Sequence, residues 1–304
     1  MLKIAFLLNI VGIVFQQIQY LISWHLPQTG QNQASLNPHP HYSLLPLVHF
    51  LQTTFPYVHC IRQSDQPEED FQPILLNTLY EKSLSPYVVF SVDDVIVKDT
   101  INFKECIETM EKVGAYGFYL AHGNHLDYCY MKNLIQEIPP YIVVEQGINA
   151  WQFNQGKNDW IHPNSLDMVI YKKADIEKDF RKIRFKNPNI LEYFWNLRSK
   201  LKRVGLFYDV SRCINIPLNK VNPSTNRSME GFSPLELLDF FEKGLKINIT
   251  PLHHIQNSSK HIDFSPEFIY RKDFVTESNF EELYQSAEIN LHLGRAKVLT
   301  VEQL

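Results

Sequence analysis

The stretch SPYVVFSVDDVIVKDTINF, residues 85–103, places two adjacent acids, Asp93 and Asp94, directly after the apolar run Tyr87–Val92. Carboxylates side by side repel each other and need water or a cation between them. Hard divalent cations such as Mg²⁺ and Mn²⁺ accept that arrangement, taking one or two carboxylates and completing their shell with substrate phosphates. A metal held there can neutralise the charge that builds on a departing phosphate. The competing reading is a solvated turn whose aspartates cap the next element near Lys98–Thr100. The apolar residues on both sides, YVVFSV and VIV, make an unpartnered acid pair costly.

The elements around the pair must present it at a strand end. Tyr87–Val92 reads as a strand. FQPILLNTLYEKSL before it has the apolar spacing of a helix, with Ile74, Leu75, Thr78 and Leu79 on one side. After it, Phe103, Cys106, Ile107, Met110 and Val113 recur at three and four residues, and Gly114 supplies a stop. AYGFYLAH is the next strand. NPNILEYFWNLRSKLKRVG reads as an amphipathic helix closed by Gly205, and SPLELLDFFEKGLKI as a helix capped by Ser233 with Pro234 at its first position. A short helix at 44–54 and a strand at Tyr57–Arg62 complete the pattern. Alternating strands and helices predict an α/β fold, a Rossmann-related, mixed but mostly parallel sheet flanked by helices. In such sheets ligands bind at the carboxyl ends of strands.

Three segments follow from composition: an apolar N-terminal stretch with a polar linker (1–43), a main domain (44–270) and a polar helical tail (271–304). The apolar run Ile4–Phe15 is too short to span a bilayer. It reads either as a signal or membrane-surface segment or as a first buried strand, KIAFLLN. The 304 residues are 44% hydrophobic and 20% charged, an ordinary globular balance. A net charge of −4 argues against a broad nucleic-acid surface. None of the four cysteines, Cys60, Cys106, Cys129 and Cys213, falls in a C-x-x-C pair, which removes thiolate zinc and thioredoxin-type chemistry. Their wide spacing fits a reducing compartment, so the sequon Asn226-Arg227-Ser228 reads as incidental. No nucleophile elbow or P-loop is present. The acids are also not spaced two apart, as a haloacid-dehalogenase-type phosphatase requires.

SPYVVFSVDDVIVKDTINFKECIETME resembles the metal-binding segment of family 2-like glycosyltransferases with the GT-A fold, the nucleotide-diphospho-sugar transferase superfamily. The resemblance continues through GAYGFYL, AWQFNQGKNDWIHPNSLDMVIYKKADIEKDF and NIPLNKV…NRSMEGFSPLELL, over residues 45–255, and is to a bacterial branch. It departs from a strict D-x-D, because Asp93 and Asp94 are adjacent. It implies that Asp94 and Asp93 carry Mn²⁺ or Mg²⁺ and the diphosphate of a nucleotide-sugar donor. Arg62, Ser64 and Asp65 in CIRQSDQPEED then occupy the place of base contacts, and the same stretch reads equally as a solvated acidic loop. The resemblance implies a general base after the metal segment, with Asp159 beside Trp160 as first choice and Asp167 as second. Trp160 and Trp151 read equally as sugar platforms and as core or lid residues. A late histidine adds a metal ligand in some such enzymes, and His254 of PLHHIQ is placed in that role. Since adjacent side chains of a strand face opposite ways, only one of His253 and His254 can serve.

The implied activity is transfer of a sugar from the donor to a glycan, lipid or protein acceptor in the cytoplasm, without nucleic acid. Membrane-surface contact through the N-terminus is an open alternative. The other reading is a catalytically inactive domain of the same fold that binds a nucleotide sugar or glycan.

Overall fold

A computed structural model describes residues 4–8, 61, 66–92, 94–217, 227, 232 and 234–271. Its strands are β1 (Ile4–Leu8), β2 (Tyr87–Ser91), β3 (Val95–Val97), β4 (Gly117–Tyr119), β5 (Tyr128–Cys129), β6 (Leu134–Ile135), β7 (Tyr141–Glu145), β8 (Ile148–Gln152), β9 (Val169–Lys172), β10 (Val204–Tyr208), β11 (Cys213–Asn215), β12 (Leu245–Ile247) and β13 (Phe268–Tyr270). The α-helices are α1 (Pro67–Leu76), α2 (Phe103–Val113), α3 (Lys173–Lys182), α4 (Pro188–Asn196) and α5 (Pro234–Glu242).

Seven strands form one sheet in the order β1-β2-β9-β4-β10-β8-β7. Only β1–β2 and β4–β10 are parallel neighbours, and the other four contacts are antiparallel. The mostly parallel sheet expected from the sequence is therefore corrected to a mostly antiparallel one. β2 and β4 run the same way, as their strand–helix–strand spacing predicts, but β9 enters between them reversed and pairs with both. Ile4–Leu8, the described part of the KIAFLLN segment, pairs in parallel with β2 as a strand of the sheet.

β2 is buried along its whole length because both faces of the sheet are covered. Val88 and Phe90 join a core with Tyr119, Tyr171, Phe180 and Trp195, over which α1, α3 and α4 pack. Tyr87 and Val89 face the other way, toward Cys106, Ile107 and Met110 of α2. That division is the two-residue period of a strand.

Local signals fix several boundaries. Asn102 caps α2 by accepting the Glu105 N–H at 3.3 Å, and Gly114 ends it at φ 64°. Asn187 caps α4 through the Ile190 N–H at 2.9 Å, with Pro188 in the first turn. α4 stops at Asn196, however, and Gly205 lies inside β10 rather than closing that helix. The reason is packing: a Cβ on Gly205 would sit 2.6 Å from the Trp151 ring. The expected elements at 44–54 and Tyr57–Arg62, the cap Ser233 and the tail beyond 271 lie outside the described residues.

Candidate functional site

The carboxyl ends of β2, β4 and β10 and the start of β9 meet at one end of the sheet, where polar and ionisable side chains collect. Asp94 stands between β2 and β3. The short β3–β11 ladder brings Asn215 beside it, and the Asn215 amide donates to Asp94 Oδ1 at 2.6 Å. Asn215 also ties in the chain around Lys260 and His261: its N–H donates to the Lys260 carbonyl at 2.8 Å and its carbonyl accepts the Ile262 N–H at 3.0 Å. One acid of the pair is thus anchored across three segments distant in sequence.

Lys260 links Asp94's surroundings to Asp159. Its ammonium lies 3.9 Å from Asp159 Oδ1, with both side chains only 12% exposed. Gln136 grips Asp159 twice, donating to Oδ2 at 3.1 Å and accepting the Asp159 N–H at 3.2 Å. The Cys129 thiol approaches Oδ1 at 3.8 Å, and the Asp159 carbonyl lies 3.3 Å from His122 Nε2. Desolvation acts to raise the Asp159 pKa, but Lys260, His261, His122 and the Gln136 hydrogen bond outweigh it and hold the carboxyl below its ordinary value. At neutral pH this is a charged, tightly held group. Such a carboxylate is a weak base.

Burial lowers the proton affinity of three imidazoles nearby, His122, His162 and His261. Burial and the Lys260 charge depress His122 to about 3 and His261 to about 4. His122 stacks on Trp151 at 5.4 Å, and the Nδ1 atoms of His122 and His261 are buried without a hydrogen-bond partner.

Asp167 belongs to the turn that enters β9, held by its N–H to Ser165 Oγ at 3.2 Å, with Met168 following at φ 50°. Glu192 of α4 reaches the same turn and accepts the Leu166 N–H at 3.1 Å. Burial first, and then the Asp167 charge, raise the Glu192 carboxyl from 4.5 to about 7. A carboxyl raised toward neutrality beside a second acid is the usual material of acid–base chemistry. Beside them lies a cavity of about 40 Å³, lined by Phe71, Leu75, Phe90, Val92, Leu166 and Leu191 among others. Sequence reasoning passed over Glu192. The available signal was one acid between Leu191 and Trp195, at the buried edge of an otherwise apolar helix.

Of the residues picked from sequence, Asp94, Asp159 and Asp167 come together at this end of the sheet. Asp93, Arg62, Ser64 and Asp65 lie outside the described residues. His254 goes elsewhere: its Nδ1 is 3.9 Å from Asp99 Oδ2, at the opposite end of β3 from Asp94. It follows a 3-10 turn (Thr250–Leu252) at φ 60°, so the strand expected for His253 and His254 is corrected to a turn. Trp151 and Trp160 are 2% and 0% exposed and pack edge to face at 5.4 Å, which makes them core residues and not sugar platforms. Among the described residues no group of three or more His, Cys, Asp and Glu side chains is placed to share a metal ion. Nor is any helix among them long and apolar enough to cross a membrane.

The chain is 30% identical over 133 residues to the bifunctional glycosyltransferase pgtA of Dictyostelium discoideum. The match covers 41% of this chain and 17% of that protein. No family model matches the chain.

Proposed function

We propose that the chain is a glycosyltransferase that moves a sugar from a nucleotide-diphosphate donor to an acceptor hydroxyl. The observation that carries this reading is the pairing of Glu192 with Asp167 near Lys260 and His261 at the strand ends, with Asp94 held by Asn215 in the adjoining ladder. The similarity to a glycosyltransferase over 133 residues gives it a chemical direction.

On this reading Asp94, with Asp93 next to it in sequence, holds Mg²⁺ or Mn²⁺ together with the donor diphosphate. One carboxylate anchored by Asn215 suits these ions, which keep several waters and take phosphate oxygens instead of demanding an all-protein cage. When bound, the metal supplies positive charge to the leaving nucleoside diphosphate. Glu192 acts as the base. It removes the acceptor hydroxyl proton while that oxygen bonds to the anomeric carbon and the sugar–diphosphate bond breaks. A carboxyl raised to about 7 is basic enough for this at neutral pH and is ionised in a useful fraction of molecules. Asp167 serves Glu192 as the neighbouring charge that keeps it basic. Asp159, the first choice from sequence, takes a positioning role: it fixes Lys260 and the loop bearing Gln136.

Calorimetric titration of UDP, then GDP, with Mn²⁺ into wild type and Asp94→Ala tests the donor site. Metal-dependent binding that disappears in the variant supports it. A folded wild type that binds neither nucleotide overturns it. Glu192→Gln is then expected to keep nucleotide binding and lose sugar transfer.

A further inference from the structure

We infer that the outer face of α4 is a docking surface for an anionic lipid bilayer. Leu191 and Trp195 bury one side of this helix at 1% and 0% exposure. The opposite side would ordinarily be polar. Instead it carries Tyr193, Phe194 and Leu197, exposed at 61%, 42% and 69%, and Leu201 continues the ridge just past the helix end at 36%. Tyr193 and Phe194 meet edge to face at 5.2 Å, so the two rings form one unit. Scattered exposed apolar residues need no explanation, but a contiguous ridge on one helix does.

The charge around the ridge is equally one-sided. Residues 178–203 contain nine Lys and Arg against two acids, in a chain whose net charge is −4. Part of this excess is structural. Arg198 pairs with Asp179 at 2.7 Å and Arg203 with Asp175 at 3.1 Å, tying the end of α4 to α3, and Lys186 pairs with Glu68 at 2.8 Å. Lys182, Arg184, Lys200 and Lys202 are exposed and have no ion-pair partner among the described residues. They flank the helix at both ends. A helix of nine residues is about 13 Å long, enough to lie in the headgroup plane and far too short to cross it.

Aromatic and aliphatic side chains between cations are the composition of an interfacial helix. The cations meet anionic headgroups while Tyr193, Phe194 and the leucines enter the acyl boundary. Single-stranded nucleic acid also attracts cations and aromatic rings, but the leucine part of the ridge has no role there. On the glycosyl-transfer reading, docking would hold Glu192, on the inner side of the same helix, one helix diameter (roughly 10 Å) from the bilayer, near an acceptor carried on a lipid headgroup.

The test is sedimentation of the full chain with vesicles of phosphatidylcholine alone and of phosphatidylcholine mixed with phosphatidylglycerol, without donor sugar, so that its outcome does not depend on transfer activity. Binding is expected to the mixed vesicles only, weakened on the order of fivefold by each of Lys200→Gln and Lys202→Gln. Tyr193→Ser combined with Phe194→Ser is expected to reduce it at least as much, with an unchanged circular dichroism spectrum because both side chains are exposed. No binding overturns the inference, and so does binding that survives these variants, which would assign the contact to another segment. Loss on charge removal with full retention in the aromatic variant, alongside binding of homopolymer RNA, would identify a polyanion surface and overturn it too.

Discussion

Replacing Glu192 by Gln should stabilise the protein above neutral pH and change little in acid. In the folded chain burial and the Asp167 charge raise this carboxyl from 4.5 to about 7, whereas unfolded it titrates at its ordinary value. Between those values the folded state keeps a proton that the unfolded state has released. Stability is therefore complete below about pH 4.5, falls as the pH rises through this window, and stays low above about 7. A shift of this size corresponds to about 3.4 kcal/mol. The half-buried side chain is partly screened by water, which lowers the expectation to about 2 kcal/mol. Gln retains an oxygen for the Leu166 N–H, now 3.1 Å from Glu192 Oε1, and brings no charge to bury or to set against Asp167. Urea unfolding near pH 5 and near pH 8.5 is the assay, read as the denaturant midpoint at constant slope. The midpoints should nearly coincide in acid, and the variant's should be higher in base. Equal shifts at both pH values, or a variant weaker in base, would show that Glu192 does not hold its proton more tightly in the folded chain.

Asp159→Asn leaves Lys260 without its carboxylate in a site where both are 12% exposed, and should cost about 3 kcal/mol in urea unfolding at neutral pH. Because the folded pKa of Asp159 is lowered, the wild-type advantage is present above its ordinary 3.8 and lost as the pH falls through the folded value. The two proteins should therefore converge only in strong acid. Gly205→Ala would place a methyl 2.6 Å from the Trp151 ring and 2.7 Å from Phe153, both buried, and should lower stability by about 1–3 kcal/mol. Trp160→Ala removes a fully buried ring that packs on Trp151 and Phe207, and a loss of about 3–5 kcal/mol is expected by the same measurement.

What could be read from the sequence was local. The run Tyr87–Val92 reads as a strand, and β2 spans Tyr87–Ser91. Gly114 ends α2 because a left-handed stop acts within a few residues, whereas the Asn102 cap is not picked out by the sequence reading. Strand direction is different in kind. VIYK is recognisable as a strand, but its reversed entry between β2 and β4 depends on pairing across distances that no local pattern encodes. The site divides the same way. Asp94 stood out because an acid after an apolar run is conspicuous, whereas Asn215 reaches it only through the β3–β11 ladder, and the Lys260–Ile262 segment joins through the Asn215 backbone. Gly205 was misleading for a related reason: its small size is required by Trp151 and not by a helix end.

Glu192 also separates the two functional readings drawn from the sequence. A domain that only binds a nucleotide sugar gains nothing from a carboxyl kept near neutrality beside Asp167. It would bind as well with an amide there and would be more stable above neutral pH. An enzyme that deprotonates a hydroxyl needs that acid, and active sites are where such costs persist. The distinction appears when Glu192→Gln is assayed for both nucleotide binding and donor turnover. Intact binding with turnover lost assigns the cost to catalysis. A wild type that binds the donor but never turns it over, even with the acceptor pool of a cell extract, leaves Glu192 as an unexplained burden and makes the protein a binder.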